Sequence, residues 1–207
     1  EELGRQDAAL AADKIWTGSD SEGREQLAGS FRLWRRDVID VMQVHNLVNT
    51  RSHLAMLREA KQEGRIRYIG LTTSHGSRHA EMVRLMREED GIDFVQFSYN
   101  LDNRRAEATL LPLAAERGIG VIVNRPFRHK ALFERYAHTP LPEWATEFEA
   151  GNWAQFFLKF VIAHPAVTCA IPATSQVVHM EENMGALYGR LPDAAMRKRM
   201  VAHIESI

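Results

Sequence analysis

Asp37-Val38-Ile39-Asp40-Val41-Met42-Gln43-Val44-His45 is the stretch that decides the fold. It is short and rich in Val, Ile and Met, as a buried strand of a parallel sheet is, and it closes on a residue that can handle a proton. An earlier run, Ala8-Ala9-Leu10-Ala11-Ala12-Asp13-Lys14, closes in the same way on an ammonium. In a parallel α/β barrel the strand ends converge on one rim, so Lys14 and His45 are expected to face one pocket.

Outward from these two runs, short segments rich in Val, Ile and Phe alternate with longer amphipathic ones, the pattern of repeated βα units. Strands are expected at Ala8 to Lys14, Ile39 to His45, Arg67 to Thr72, Phe94 to Tyr99, Gly120 to Asn124 and Val167 to Ile171. Helices are expected at Arg24 to Arg35, Arg51 to Glu63, Ser77 to Glu88, Arg105 to Glu116 and Trp153 to His164, with two more at Val177 to Tyr188 and Asp193 to Ile207. Gly64 and Gly118 stand where C-terminal caps belong, Ser77 where an N-cap belongs, and Pro165 stops the helix before it. Phe127 to Asn152 holds Pro140, Pro142 and Gly151 with little periodicity, and is expected to form a loop over the rim. Six strands make part of a barrel that closes with eight. An open doubly wound sheet could also use six, but Gly18, Gly23 and Gly29 are too scattered for its glycine-rich phosphate turn.

Composition narrows the classes of function. The 207 residues are 45% hydrophobic and 26% charged with a formal net charge of -1, which fits one sizeable core in a single domain, residues 1–207. Basic residues are interleaved with acidic ones, as in Arg84-Leu85-Met86-Arg87-Glu88-Glu89, so no phosphate-binding stripe and no nucleic-acid partner are expected. No apolar run approaches the roughly 20 residues of a membrane span. The lone Cys169 excludes a disulfide framework within the chain, and its apolar surroundings from Val167 to Pro172 predict an inert buried thiol. Glu1-Glu2-Leu3-Gly4-Arg5 reads as a helix end followed by Gly, so the chain is expected to begin in mid-fold, and nothing in it carries a targeting signal. A cytoplasmic location is the default.

Several motifs resemble the aldo-keto reductase family from its third barrel strand onward: Asp40-Val41-Met42-Gln43-Val44-His45-Asn46, Gly64-Arg65-Ile66-Arg67-Tyr68-Ile69-Gly70, Val95-Gln96-Phe97-Ser98-Tyr99-Asn100, Ala170-Ile171-Pro172 and His179-Met180-Glu181-Glu182-Asn183. They come in family order and at family spacing. The resemblance implies a (β/α)8 TIM barrel with about six of its eight βα units represented here. It implies reduction of an aldehyde or ketone by hydride transfer from a nicotinamide cofactor, NADP with NAD as the alternative. Of the family's Asp, Tyr, Lys and His around the carbonyl, Lys14 matches the Lys and His45 the His. The Asp and Tyr belong to the first two units, which this chain is expected to lack. An ammonium beside a phenol lowers the phenol pKa, and an imidazole can orient a carbonyl oxygen, so the chemistry suits the matched positions.

The same resemblance assigns cofactor positions. Thr72 and Thr73 fall where the family places Ser and Asn at the nicotinamide carboxamide, and Gln96 matches a third contact there. Asn124 replaces the aromatic that stacks on the nicotinamide ring, with Arg125 available as a planar cation beside it. At the adenosine end, the backbone of Ala173, Thr174 and Ser175 leads into a helix near Val177 whose N-terminus favours an anion. Glu182 and Asn183 match the adenine-contacting pair, and Ala173 and His179 stand at the two positions that are basic in the family.

Plainer readings compete at several residues. Gln96 and Asn124 could be hydrogen-bonded polar residues at strand ends. Asp40, inside a strand, is expected to pair with a helix or backbone donor. His75 and His79 have a spacing that can bind metal, yet no further ligand is in view and no metal is expected. Trp34 is expected to pack, and Trp16 to form the pocket wall. Two other functions compete: a catalytically weak nucleotide-binding sensor or interaction module on the same barrel, suggested by Thr73, Asn124 and Ala173, and a metal-dependent hydrolase, which needs several His and Asp ligands at strand ends.

Overall fold

A computed structural model describes residues 9–74 and 76–206. The described chain forms an α/β structure with six strands and divides into two compact units, residues 9–96 with 116–119 and residues 97–115 with 120–206.

The first unit runs β1 (Ala12–Ile15), α1 (Asp20–Trp34), β2 (Ile39–His45), α2 (Thr50–Gln62), β3 (Ile66–Thr72), α3 (His79–Glu88) and β4 (Phe94–Ser98), whose last two residues open the second unit. Neighbouring strands pair parallel in chain order. Side chains alternate across a strand, so the register sorts the residues into two faces. Ile15, Met42, Val44, Ile69, Leu71 and Val95 share one face and are almost wholly buried. Burial of each such side chain is worth about 1.5–3 kcal/mol. The indole nitrogen of Trp34 donates to Asp13 Oδ2 at 3.1 Å, which puts α1 on this face. Lys14 pairs with Gln43, Gln43 with Gly70, His45 with Thr72 and Thr72 with Gln96, so all of these point to the opposite face.

Local signals account for the helix ends. Ser19 accepts from Glu22 N–H to start α1. Gly64, at φ +73°, lets Arg65 N–H reach back to Ala60 O at 2.9 Å and so ends α2. Gly118 is likewise left-handed, at φ +65°. Ser77 is not an N-cap: it lies in a 3-10 turn (Gly76–Arg78), and α3 begins at His79 after Arg78. Asp40 is paired as expected, its carboxylate accepting from Ala11 N–H at 2.8 Å, Arg67 at 2.8 Å and Arg36 at 3.4 Å.

The second unit contains α4 (Leu110–Glu116) except its last residue, β5 (Gly120–Asn124), α5 (Ala131–Tyr136), α6 (Trp153–Ile162), β6 (Cys169–Ala170), α7 (Val177–Gly185) and α8 (Ala194–Ser206). Phe127 to Asn152 is not a loop. It holds α5 and a 3-10 segment (Glu143–Phe148), and Leu132, Tyr136, Ala145 and Phe148 are buried. Aromatic contacts with α6 fix it: Tyr136 stacks on Trp153 with centroids 5.0 Å apart, and Phe133 meets Phe157 edge-on at 6.0 Å. The expected helix from Arg105 is split, a 3-10 turn (Arg105–Ala108) giving way to α4 after Thr109.

β6 is shorter than expected and pairs parallel with β5, Ile122 opposite Cys169. Cys169 is exposed, contrary to the expected buried thiol, because among the described residues β6 has a partner on one side alone. Apolar surroundings still push the thiol pKa up. Arg197 ties α8 down, donating to the Tyr99 hydroxyl and to Glu107 at 2.8 Å while its guanidinium lies 4.4 Å from the Phe160 ring centre. Lys159 is wholly buried, and its ammonium donates to three backbone carbonyls, Phe148 and Tyr188 at 2.7 Å and Arg190 at 3.1 Å.

Candidate active site

Lys14 leaves β1 on the same face as His45 leaves β2. Its neighbour Asp13 points the other way, accepting from Lys14 N–H at 2.8 Å and from Trp34. The His45 ring lies edge-on to Trp16, centroids 5.3 Å apart at 85°, so the aromatic singled out in the sequence stands beside His45. Trp16 itself is 63% exposed. Burial and then the nearby Lys14 ammonium hold the His45 pKa below its ordinary value, which favours the neutral imidazole.

Beyond His45 the backbone takes the left-handed conformation at Asn46, Leu47 and Asn49, none of them glycine. Asn46 Oδ1 accepts from the Ser74 backbone at 3.0 Å and the Ser74 hydroxyl at 2.9 Å, and its carbonyl accepts from Arg78 at 2.5 Å. The turn that follows His45 is thus held by the segment that follows Thr72 and Thr73. Both threonines are buried, and Thr73 N–H continues the ladder to Gln96 O at 2.9 Å. Among the described residues the Thr72 hydroxyl has no hydrogen-bonding partner.

The second unit has its own cleft, of about 750 Å³, lined by Ala173, Thr174, Ser175, His179, Glu182 and Asn183 of the sequence assignment. Thr174 Oγ1 accepts from Gln176 N–H at 3.1 Å just before α7, whose first turn has no side-chain cap. Its opposite wall holds Phe127, His129, Lys130 and Phe133, which the sequence did not single out. The basic pair His129-Lys130 following Arg125 and Arg128 was the available signal, hidden by reading the segment as a loop. Asn124 and Arg125 do not line this cleft. Asn124 Oδ1 accepts from the Ser98 hydroxyl at 2.7 Å, and the Arg125 carbonyl accepts from Asn100 at 3.0 Å.

The Aldo/keto reductase family matches the chain over residues 11–204. The chain belongs to the aldo/keto reductase family. Among family relatives, "Uncharacterized oxidoreductase YqkF" of Bacillus subtilis is 24% identical over 202 residues, 84% of this chain and 63% of that protein. "Probable aldo-keto reductase 1" of Glycine max is 24% identical over 197 residues, 80% of this chain and 56% of that protein. The chain therefore spans less than two thirds of the length of either relative. Among solved structures, an aldo/keto reductase from Klebsiella pneumoniae in complex with NADP and acetate superposes with a TM-score of 0.79 at 22% identity, covering 97% of this chain and 72% of that one. The holo form of aldo-keto reductase AKR11C1 from Bacillus halodurans gives 0.76, also at 22% identity, over 97% of this chain and 73% of that one. These likenesses establish the aldo/keto reductase barrel fold that the sequence motifs implied.

Among the described residues no group of three or more His, Cys, Asp or Glu could hold a metal ion, and no helix is long and apolar enough to cross a membrane. His75, half of the histidine pair with metal-binding spacing, lies outside the described residues.

Proposed function

We propose that this chain belongs to a carbonyl reductase that uses NADP. The observation that carries the proposal is the strand register, which sets Lys14, His45, Thr72 and Gln96 on one face at successive strands. Lys14 contributes positive charge where negative charge develops on a carbonyl oxygen, and the neutral His45 imidazole donates a hydrogen bond that orients that oxygen. Trp16 walls the pocket and keeps water from one side of the imidazole.

The residues present fit a nicotinamide cofactor. The orphaned, buried Thr72 hydroxyl, with Gln96 opposite it, offers acceptors and donors for a carboxamide. In the second unit, Ala173, Thr174 and Ser175 before the uncapped start of α7 suit a phosphate, and Glu182 and Asn183 suit an adenine. Lys130, His129 and His179 line the same cleft and favour the additional phosphate of NADP over NAD. When bound, the cofactor supplies a hydride to the carbonyl carbon. The substrate class is a small aldehyde or ketone.

The test is turnover of NADPH with a panel of aldehydes by the full-length protein and its Lys14→Met and His45→Ala variants. Loss of turnover with retained cooperative unfolding is expected, and retained turnover in both variants would refute the assignment. The Ser98 bond that occupies the Asn124 oxygen favours the second reading, a nucleotide-binding module with little catalysis. Micromolar cofactor binding with no hydride transfer to any carbonyl would favour it over the reductase.

A further inference from the structure

Gln43 lies in the middle of β2 with no exposed surface, and among the described residues neither its amide nitrogen nor its amide oxygen has a hydrogen-bonding partner. An unpaired buried amide costs on the order of 1–3 kcal/mol for each group left unsatisfied, so such a side chain calls for an explanation. Two further orphans share its face: Nδ1 of His45, two residues along the same strand, and Oγ1 of Thr72, the register partner of His45 on β3. Same-face neighbours on one strand are about 6.6 Å apart, a gap a glutamine side chain and one ordered water close together.

The β3 residue opposite Gln43 is Gly70, and a Cβ there would come within 2.9 Å of Gln43 Cγ and 3.0 Å of Nε2. The amide end therefore leans over the one position on β3 without a side chain, beside Thr72 on the same face. Nδ1 is the buried ring nitrogen of His45, which leaves Nε2 open to a ligand.

We infer that Gln43 is the positioning residue for His45. In a neutral imidazole one nitrogen donates and the other accepts, and the partner of the buried nitrogen sets which is which. Through one ordered water each, Gln43 Nε2–H donates toward His45 Nδ1, and the Thr72 hydroxyl donates toward Gln43 Oε1. All four orphaned atoms are then satisfied, and the imidazole proton resides on Nε2, where it can be donated to a carbonyl oxygen. The lone pairs left on Thr72 Oγ1 remain free to accept from a carboxamide, so one directional chain runs from the carboxamide position to His45. Lys14, on β1, is the charged group acting on His45; β3 contributes the uncharged Thr72.

This inference rests on the reductase proposal for the role of Nε2, and its test does not depend on turnover. In full-length protein labelled with ¹⁵N at histidine, the His45 ring shifts are expected to show a protonated Nε2 and an accepting Nδ1. Gln43→Met, close in shape and without the amide, is expected to mix the two tautomers. Gln43→Glu, which can only accept when ionised, is expected to move the proton to Nδ1. If the reductase proposal holds, both variants lower kcat about 10-fold or more with KM changed less than about 2-fold. An unchanged His45 tautomer in both variants overturns the inference. Should either variant fail to unfold cooperatively, the wild-type shifts decide alone: a proton on Nδ1 overturns it. The expected tautomer pattern in a protein that reduces no carbonyl would sink the reductase proposal and leave Gln43 in its role.

Discussion

Lys159→Met should destabilise the second unit by about 2 kcal/mol. The wild-type ammonium joins three carbonyls from two separate segments, Phe148 at the end of the 3-10 segment and Tyr188 and Arg190 between α7 and α8. A hydrogen bond from a charged donor is worth about 1.5–3 kcal/mol net. The Phe148 bond is buried, so its acceptor is left without water when the ammonium goes, whereas the other two are partly buried and water can replace the lost donor. Methionine keeps nearly the same volume and removes a buried charge, a gain that offsets part of the loss. The net, taken as one buried charged bond, corresponds to a fall of about 4–8 °C in Tm for a chain of this size. Urea unfolding of both proteins, compared through midpoint and slope, measures it. A variant within about 0.5 kcal/mol of wild type, or more stable, would show that the ammonium does not hold these segments together.

Gly70→Ala should destabilise the first unit by about 1–3 kcal/mol, since its Cβ would meet Gln43 and also the Phe94 backbone oxygen at 3.1 Å, which cannot step aside; an unchanged urea midpoint would contradict this. Acidification should weaken the fold below about pH 6.5. The pKa values of His45, His164 and His203 are all lowered, chiefly by burial and next by Lys14, Arg197 and Arg199 respectively, so the unfolded chain binds more protons than the folded one as pH falls through this range. Urea midpoints that stay level or rise between about pH 7.5 and 5.5 would refute that sign.

The parts of the molecule that were legible in the sequence are those where local pattern and tertiary role coincide. Gly120 to Asn124 is found at its expected bounds because it is a continuous apolar run with a polar end, and Ile39 to His45 likewise although Asp40 and Gln43 interrupt its apolar residues. Strand alternation together with the β1–β2 register then places Lys14 and His45 on one face. Phe127 to Asn152 misled because its order comes from packing on Trp153 and Phe157 of α6, outside the segment, while its own periodicity is short. Lys130 and His129 were missed with it. Cys169 misled in the opposite sense: an apolar run suggested a central strand, but burial depends on a second neighbour that no single segment reveals. Gln43 carried no signal at all, since a polar residue inside a strand becomes conspicuous only when its lack of partners is known.

The turn after His45 has a mechanical consequence. A left-handed backbone costs most residues roughly 1–2 kcal/mol and asparagine much less, so of Asn46, Leu47 and Asn49, which adopt it within four positions, Leu47 bears most of the strain. The grip of Ser74 and Arg78 on Asn46 is what keeps that spring wound. Releasing one end lets the other relax, so these two turns should open and close as one latch, with His45 mounted on it.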